Sequence, residues 1–234
     1  MDSRIDEAIA ALKKGDPVLV YDADGREEET DFVYASQFIT PDRIRRMRRD
    51  GGGLICTTVP FEVREKLGLP FMVDVNAEAT GKYPVLALLS PTDIPYDTKS
   101  AFSITINHRK TYTGITDIDR AMTVRKFAEV CKFAASHTEE ESMREFGANF
   151  RSPGHLHLLN ASERILENRF GHTELSTALV MMAGLTPSAT ICEMMGDDGK
   201  ALSRKKAEAY ARENGFVYLT GKEIVEAWRE YLNQ

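Results

Sequence analysis

Residues 22–31 read Asp22-Ala-Asp-Gly-Arg-Glu-Glu-Glu-Thr-Asp31, setting six carboxylates and one guanidinium around Gly25, which can turn the chain. Hard divalent cations such as Mg²⁺ take oxygen ligands and usually keep several waters, so one or two of these carboxylates suffice for a metal site. A solvated acidic loop uses the same residues, and the spacing is not that of a calcium-binding EF-hand. A second group, Arg169-Phe-Gly-His-Thr-Glu174, precedes Leu175, Leu179 and Met182, which share one helical face. A helix start at Gly171 exposes backbone N–H groups whose dipole favours an anion, Thr173 adds a hydroxyl and Arg169 a planar cation, so a phosphate suits this segment. An ordinary helix cap beside a surface histidine, His172, is the bland alternative.

Three more segments carry candidate chemistry. In Phe150-Arg-Ser-Pro-Gly-His-Leu-His157, Pro-Gly predicts a tight turn that presents His155 and His157 on one face of an extended segment. Such a pair serves metal binding or proton transfer, or is simply exposed after the turn. Tyr112-Thr-Gly-Ile-Thr-Asp-Ile-Asp-Arg120 places short hydroxyls, Thr113 among them, and carboxylates around Gly114, ahead of a helix expected to begin near Thr123. These groups bind sugar hydroxyls, but they equally make turns and N-caps. Ile191-Cys-Glu-Met-Met195 sets Glu193 alone in an apolar strand, where a buried carboxylate is paired, metal-bound or catalytic unless it faces solvent from an edge.

The elements that must position these groups follow from periodicity. Ile5, Ile9 and Leu12 recur at helical spacing within residues 1–15, with Gly15 as a stop. Strands are predicted over 17–21, 32–35, 54–59, 101–106 and 189–194, and helices over 41–49, 124–136, 173–183, 204–214 and 223–231. The acidic segment lies between two strands and so belongs to a loop at a strand end. Residues 76–95, with Gly81, Pro84, Pro91 and Pro95, read as a long excursion, and residues 137–152 as another; each is a binding loop or a solvated connector. The mixture implies α/β or α+β. No repeat or Ser/Gly/Pro-rich linker divides the chain, so one domain over 1–234 is expected.

Composition narrows the function classes. With 42% hydrophobic residues in 234, a substantial core is available, and a formal charge of -6 leaves no surplus of Lys and Arg for an extended phosphate footprint. Nucleic acid and anionic membranes are therefore not expected partners. The three cysteines, Cys56, Cys131 and Cys192, are widely spaced and form no C-x-x-C pair, which argues against a disulfide framework or zinc cluster and fits a reducing cytoplasm. No window approaches the roughly 20 apolar residues of a membrane span. Nucleotide-binding G-x-G-x-x-G and P-loop patterns are missing too, so no organic cofactor is indicated.

Taken in order, the segments resemble the 3,4-dihydroxy-2-butanone 4-phosphate synthase family from near the N-terminus to about residue 220. Gly25-Arg-Glu-Glu-Glu-Thr-Asp31 looks like that family's acidic loop, with Glu28 and Thr30 where the family commonly has Asn and Gly. Gly52-Gly-Leu-Ile-Cys56 looks like its glycine-rich strand and Thr113-Gly-Ile-Thr-Asp-Ile-Asp-Arg120 like its central substrate loop. Pro153-Gly-His155, Arg169 to Glu174, and Cys192-Glu193 followed by Asp197-Asp-Gly199 complete the series. The spacing from Arg120 to His155 resembles an archaeal-type, monofunctional variant.

The resemblance implies a magnesium-dependent lyase of riboflavin biosynthesis, with manganese able to substitute, converting ribulose 5-phosphate to a four-carbon phosphate and formate. It implies that Glu27 and His172 bind the metal, and that Arg26, Asp31, and Arg169, Phe170, Gly171, His172 and Thr173 hold the substrate. His155 and Glu193 match positions needed for turnover, while Asp22, Glu29, Cys56 and Thr113 line the same site. The implied fold is a single α+β domain with a mixed sheet flanked by helices, forming a cytoplasmic homodimer with active sites near the interface. Two rivals remain at this stage: another metal-dependent phosphosugar aldolase or isomerase, which releases no formate, and a phosphosugar-binding module that consumes nothing.

Overall fold

The computed structural model describes residues 3–233; residues 1, 2 and 234 of the expected 1–234 span, including the start of the expected first helix, lie outside the described residues. In chain order the elements are α1 (Ser3–Lys14), β1 (Val18–Tyr21), β2 (Thr30–Ala35), α2 (Pro41–Asp50), β3 (Cys56–Val59), α3 (Phe61–Leu67), α4 (Met72–Glu78), β4 (Phe102–His108), α5 (Asp117–Ala134), α6 (Glu139–Asn149), β5 (Phe150–Asn160), α7 (His172–Met182), β6 (Ala189–Glu193), α8 (Arg204–Asn214), β7 (Val217–Thr220) and α9 (Gly221–Leu232). The strands form one mixed sheet in the order β4-β5-β3-β6-β2-β1-β7. Three neighbouring pairs next to the acidic loop or the glycine-rich segment, β1/β2, β2/β6 and β3/β6, run antiparallel.

The central strands are apolar on both faces because both faces are covered. Along β2, Phe32 and Tyr34 pack with α2, α5 and α8 on one side, while Val33 and Ala35 pack with α1, α7 and α9 on the other. This period of two explains why the runs read as continuous apolar strands rather than alternating ones. Here the α+β expectation holds, with a mixed sheet flanked by helices.

Several boundaries differ from the sequence expectation for identifiable reasons. Helix α5 begins at Asp117, not near Thr123, because the Thr116 side chain accepts from the Asp119 amide and caps the helix earlier. Residues 137–152 are mostly the helix α6, not a loop: Thr138 and Glu141 form a reciprocal capping box, and Glu139, Glu140 and Glu141 sit where the helix dipole favours them. No tight turn forms at Pro153-Gly154; both lie inside β5, at a register shift against β4. Gly154 is there for close approach, since a Cβ would lie 2.0 Å from the Ile106 carbonyl carbon. Strand β7 and helices α3 and α4 escaped the reading because they are only four to seven residues long.

The core on the α5 side is rich in aromatic edges: Phe127 meets Phe146 and Phe150 at ring-centroid separations of 6.3 and 6.2 Å. Phe127→Ala should therefore destabilise the protein by about 3–5 kcal/mol. Urea unfolding checks this, and a loss below about 1 kcal/mol would mean that the site collapses around the deletion.

Candidate functional site

Sheet and helix meet the acidic loop at one cavity of about 350 Å³. Its floor is the β2–β6 ladder, where Asp31 stands directly opposite Glu193, both on the α7 face. The N-terminus of α7 supplies His172 and Thr173 from one side, and the loop after β1 supplies Arg26, Glu27 and Glu29 from the other. Cys56 and Leu54 approach from the start of β3, and Tyr96 and Asp97 from the segment before β4.

Asp22 lies just behind this wall and organises it. One of its oxygens accepts from the Glu27 amide at 3.0 Å and from Arg26 Nη1 at 3.2 Å, and the other accepts from the Glu29 amide at 3.2 Å. Those bonds fold the loop back so that alternate carboxylates, Glu27 and Glu29, enter the cavity. Glu28 points elsewhere and takes a left-handed conformation, φ 57°, which a side chain of its type adopts reluctantly and Asn more readily. That conformation costs some backbone strain, eased by the bond from the Gly25 amide to Glu28 Oε1 at 2.8 Å.

His172 is buried, and its two ring nitrogens face different groups. Nε2 lies 3.2 Å from the Val20 carbonyl, which can only accept, so Nε2 carries a proton. Nδ1 lies 3.1 Å from Glu27 Oε2. With no cation between them the ring is protonated on both nitrogens, Nδ1–H donating to Glu27; a metal taken up here would displace the Nδ1 proton while Nε2–H stays on the Val20 carbonyl, which fixes the tautomer a metal ligand needs. Ligand atoms of Asp22, Glu27 and His172 all fall within 4.8 Å of one another. Asp31 Oδ1, buried and without a hydrogen-bond partner, adds a further carboxylate oxygen 3.6 Å from His172 Nε2. An oxygen-rich set with one imidazole fits Mg²⁺ or Mn²⁺ and does not fit a thiolate-seeking metal.

The crowding moves proton equilibria. Burial, then the charges of Glu27 and Glu193, push the Glu29 carboxyl up; burial, then Glu193 and Glu27, push Asp31 up. Burial also raises Glu193, with Glu27 adding to it. Glu27 goes the other way: burial opposes ionisation, but the His172 ring and Arg26 together hold its carboxyl at about 2. His172 is raised although burial disfavours its charge, because Asp31 and Glu27 face it. Burial and the neighbouring carboxylates raise the Cys56 thiol, so it is no thiolate nucleophile.

Arg26, Glu27, Glu29, Asp31, Cys56, Arg169, His172, Thr173 and Glu193 all line the one cavity. Gly171 is the N-cap of α7, and Phe170 before it is 40% exposed. Glu193 is not the isolated carboxylate that its strand neighbours implied; it joins Asp31, Glu27 and Glu29. Thr113 and His155 are brought to each other instead of to this cavity: the Asn107 amide nitrogen lies 3.2 Å from the Thr113 carbonyl and 3.0 Å from His155 Nδ1. His157, the second histidine of that pair, packs edge-on against Phe102. Sequence reasoning missed Tyr96, Asp97 and Asn107, whose types are ordinary in loops and strands and carry no spacing signal.

Comparison with known proteins follows the same lines. A family model described as 3,4-dihydroxy-2-butanone 4-phosphate synthase matches residues 6–227. A protein of that name from Methanothermobacter thermautotrophicus is 52% identical over 97% of this chain and 96% of its own length. Another from Agrobacterium fabrum is 34% identical over 95% and 91%. Among solved structures, a 3,4-dihydroxy-2-butanone 4-phosphate synthase in complex with two magnesium ions superposes with a TM-score of 0.73 at 28% identity, covering 97% of this chain and 96% of that one. The Candida albicans synthase superposes with a TM-score of 0.72 at 28% identity, covering 95% and 96%.

The loop geometry makes a prediction independent of activity. In Asp22→Ala the Glu27 and Glu29 amides lose their acceptor, so hydrogen exchange at both should accelerate at least about tenfold, the equivalent of one lost charge-assisted bond. Unchanged protection at both amides would mean that the loop is held by something other than Asp22.

Proposed function

The chain belongs to the 3,4-dihydroxy-2-butanone 4-phosphate synthase family, and from that premise we propose how its own side chains divide the work. It is a metal-dependent lyase that converts D-ribulose 5-phosphate to L-3,4-dihydroxy-2-butanone 4-phosphate and formate in riboflavin biosynthesis. The observation that carries the assignment of roles is a juxtaposition. The oxygen-nitrogen group of Asp22, Glu27 and His172 stands beside a cavity lined by two guanidiniums and a helix N-terminus.

In this reading Glu27 and His172 hold Mg²⁺, with Asp22 close enough to ligate or to fix Glu27, and Mn²⁺ substitutes because an imidazole suits it. The cation, when bound, supplies charge stabilisation for oxygens that become negative next to the reacting carbons. Arg169, Thr173 and the α7 amides take the substrate phosphate, with Arg26 beside them. That anchors one end of the sugar phosphate and turns its carbonyl end toward the carboxylates. Glu193 accepts the proton from the carbon next to the carbonyl and returns it later; its raised carboxyl is suited to both directions. Asp31 and Glu29 hold sugar hydroxyls, and Cys56 closes the apolar edge of the cavity.

His155 and Thr113 enter the account through a second copy. Beside them Tyr112 is 95% exposed, Ile118 64% and Ile115 48%, an apolar surface that water leaves unsatisfied. A homodimer that buries this surface brings the His155 cluster of one protomer to the cavity of its partner. We also take residues 1–234 as one domain and the cytoplasm as its location; among the described residues no helix is long and apolar enough to cross a membrane, and the three cysteines are free and buried.

Two experiments test the assignment. Mg²⁺ at about a hundredfold excess over its dissociation constant should add about 2.7 kcal/mol of stability, raising the thermal midpoint by several degrees. Glu27→Gln should lose most of that rise; an equal rise in the variant would move the metal site elsewhere.

The shared site is tested by complementation. His155→Ala and Glu193→Gln should each lose roughly a hundredfold in turnover. Co-expressed, they should regain about a quarter of wild-type formate production, since half the dimers are mixed and each of those has one intact site. Recovery no greater than that of either variant alone would place both residues in sites built within single chains.

A further inference from the structure

The cavity contains an anion that belongs to the chain itself. Asp97 reaches in from the segment that follows the exposed proline-bearing excursion and precedes β4. Its Oδ2 lies 2.7 Å from Arg169 Nε and 3.2 Å from Arg26 Nη2. Both guanidiniums sit against Gly171: a Cβ there would fall 2.6 Å from Arg26 Nη2 and 2.9 Å from Arg169 Nη1. Only a glycine N-cap lets two cations crowd onto the start of α7. That cap donates no side chain to the first amides of the 11-residue helix, so both guanidiniums stand at an N-terminus without a side-chain cap. Two guanidiniums that meet on one oxygen and sit against a helix N-terminus are the recognition chemistry of a phosphate.

We infer that Asp97 is a specificity-determining stand-in for the substrate phosphate: it fills the seat between Arg26 and Arg169 in the free chain and yields it to a phosphate dianion. This rests on the reading that Arg169 and the α7 N-terminus take the phosphate. A dianion with three acceptor oxygens can engage both guanidiniums and a first-turn amide at once, whereas the carboxylate presents Oδ2 alone. Asp97 has a way out. Its Oδ1 is bound only to its own neighbours, the Thr98 amide at 2.9 Å and the Lys99 amide at 3.5 Å, so the turn can move as a unit. Lys99 Nζ in turn pairs with Asp74 at 2.8 Å, both side chains being largely in solvent. A sugar without phosphate carries nothing that displaces a carboxylate from two guanidiniums, and it meets a closed seat. Selectivity for the phosphorylated pentulose is then set partly by a residue that the bound substrate expels.

The arrangement makes a signed prediction, because a competitor in the seat lowers apparent affinity by the fraction of seats left open. Calorimetric titration of the full chain in Mg²⁺ buffer with inorganic phosphate reads it directly. Asp97→Asn keeps the shape and removes the charge. Its phosphate affinity should rise about tenfold if the carboxylate fills about nine seats in ten. Asp97→Ala should do the same, which guards against an asparagine that bonds the arginines in its own way. Unchanged or weaker phosphate binding in both Asp97 variants, with binding lost in Arg169→Ala, overturns the inference while leaving the phosphate site standing: Asp97 would then be aligning the guanidiniums. Phosphate binding that survives intact in Arg169→Ala removes the phosphate reading and the inference together.

Discussion

Asp31 and Glu193 face each other across the β2–β6 ladder, two carboxylates where neighbouring strands normally pair apolar or oppositely charged side chains. With Asp22, Glu27 and Glu29 close by, the wall is strongly acidic and largely withdrawn from water. Such a group persists only if compensating positive charge is built in. The compensation comes from His172, Arg169 and the start of α7, which depend on where that helix begins, and from Arg26, which Asp22 holds in the loop after β1. A proton held between carboxylates, or a divalent cation among them, completes the balance. The features that make the site expensive to fold are the ones that let it move protons and bind a metal.

What holds α7 in place is correspondingly firm. Its hydrophobic face is buried against α1, α9 and the sheet through Leu175, Leu179 and Val180. On its own face of the sheet Thr177 donates to Thr58 at 2.9 Å, and the same Thr58 hydroxyl accepts from the Ala189 amide at 3.0 Å; a second set of buried hydroxyls, Thr57, Thr190, Ser36 and Ser188, ties β2, β3 and β6 together toward α5. The Thr177–Thr58 bond and the apolar packing together fix the helix against β3 and β6. Glu174, buried one turn in, pairs with Arg169 and accepts from the Ser162 amide at 3.0 Å, which steadies the guanidinium from behind. In the proposed reading the phosphate end of the site is thus held on the helix side and adjustable on the Asp97 side.

Much of this was legible before any coordinates. The apolar runs of β1, β2, β3 and β6 have no alternation because both faces of the sheet are covered, and that is also why their positions were plain. Residues 22–31 could only be a surface loop on composition, and Gly171-His172-Thr173 before a helical face marked the α7 start. What could not be read was which distant segments share the cavity. Asp97 lies more than seventy residues from either arginine it bridges, and nothing in a Tyr-Asp-Thr-Lys sequence announces an ion pair. Glu193 looked solitary because its partners come from another strand and a loop. Pro153-Gly154 imitated a turn because those residues are rare inside strands; the close approach of β4 to β5 puts them there. His155 and Thr113 were grouped with the site by resemblance, and the fold of one chain sets them together but apart from the cavity.

If a cation completes the acidic wall, cleavage of a carbon-carbon bond in the phosphorylated pentulose depends on that cation. Formate released from ribulose 5-phosphate by the purified chain, compared in Mg²⁺ and after exhaustive chelation, tests it most directly. The account predicts one formate for each ribulose 5-phosphate consumed in Mg²⁺ and essentially none in chelator, with full recovery on adding the ion back. Consumption of ribulose 5-phosphate without formate, or formate release that chelation leaves untouched, would contradict it.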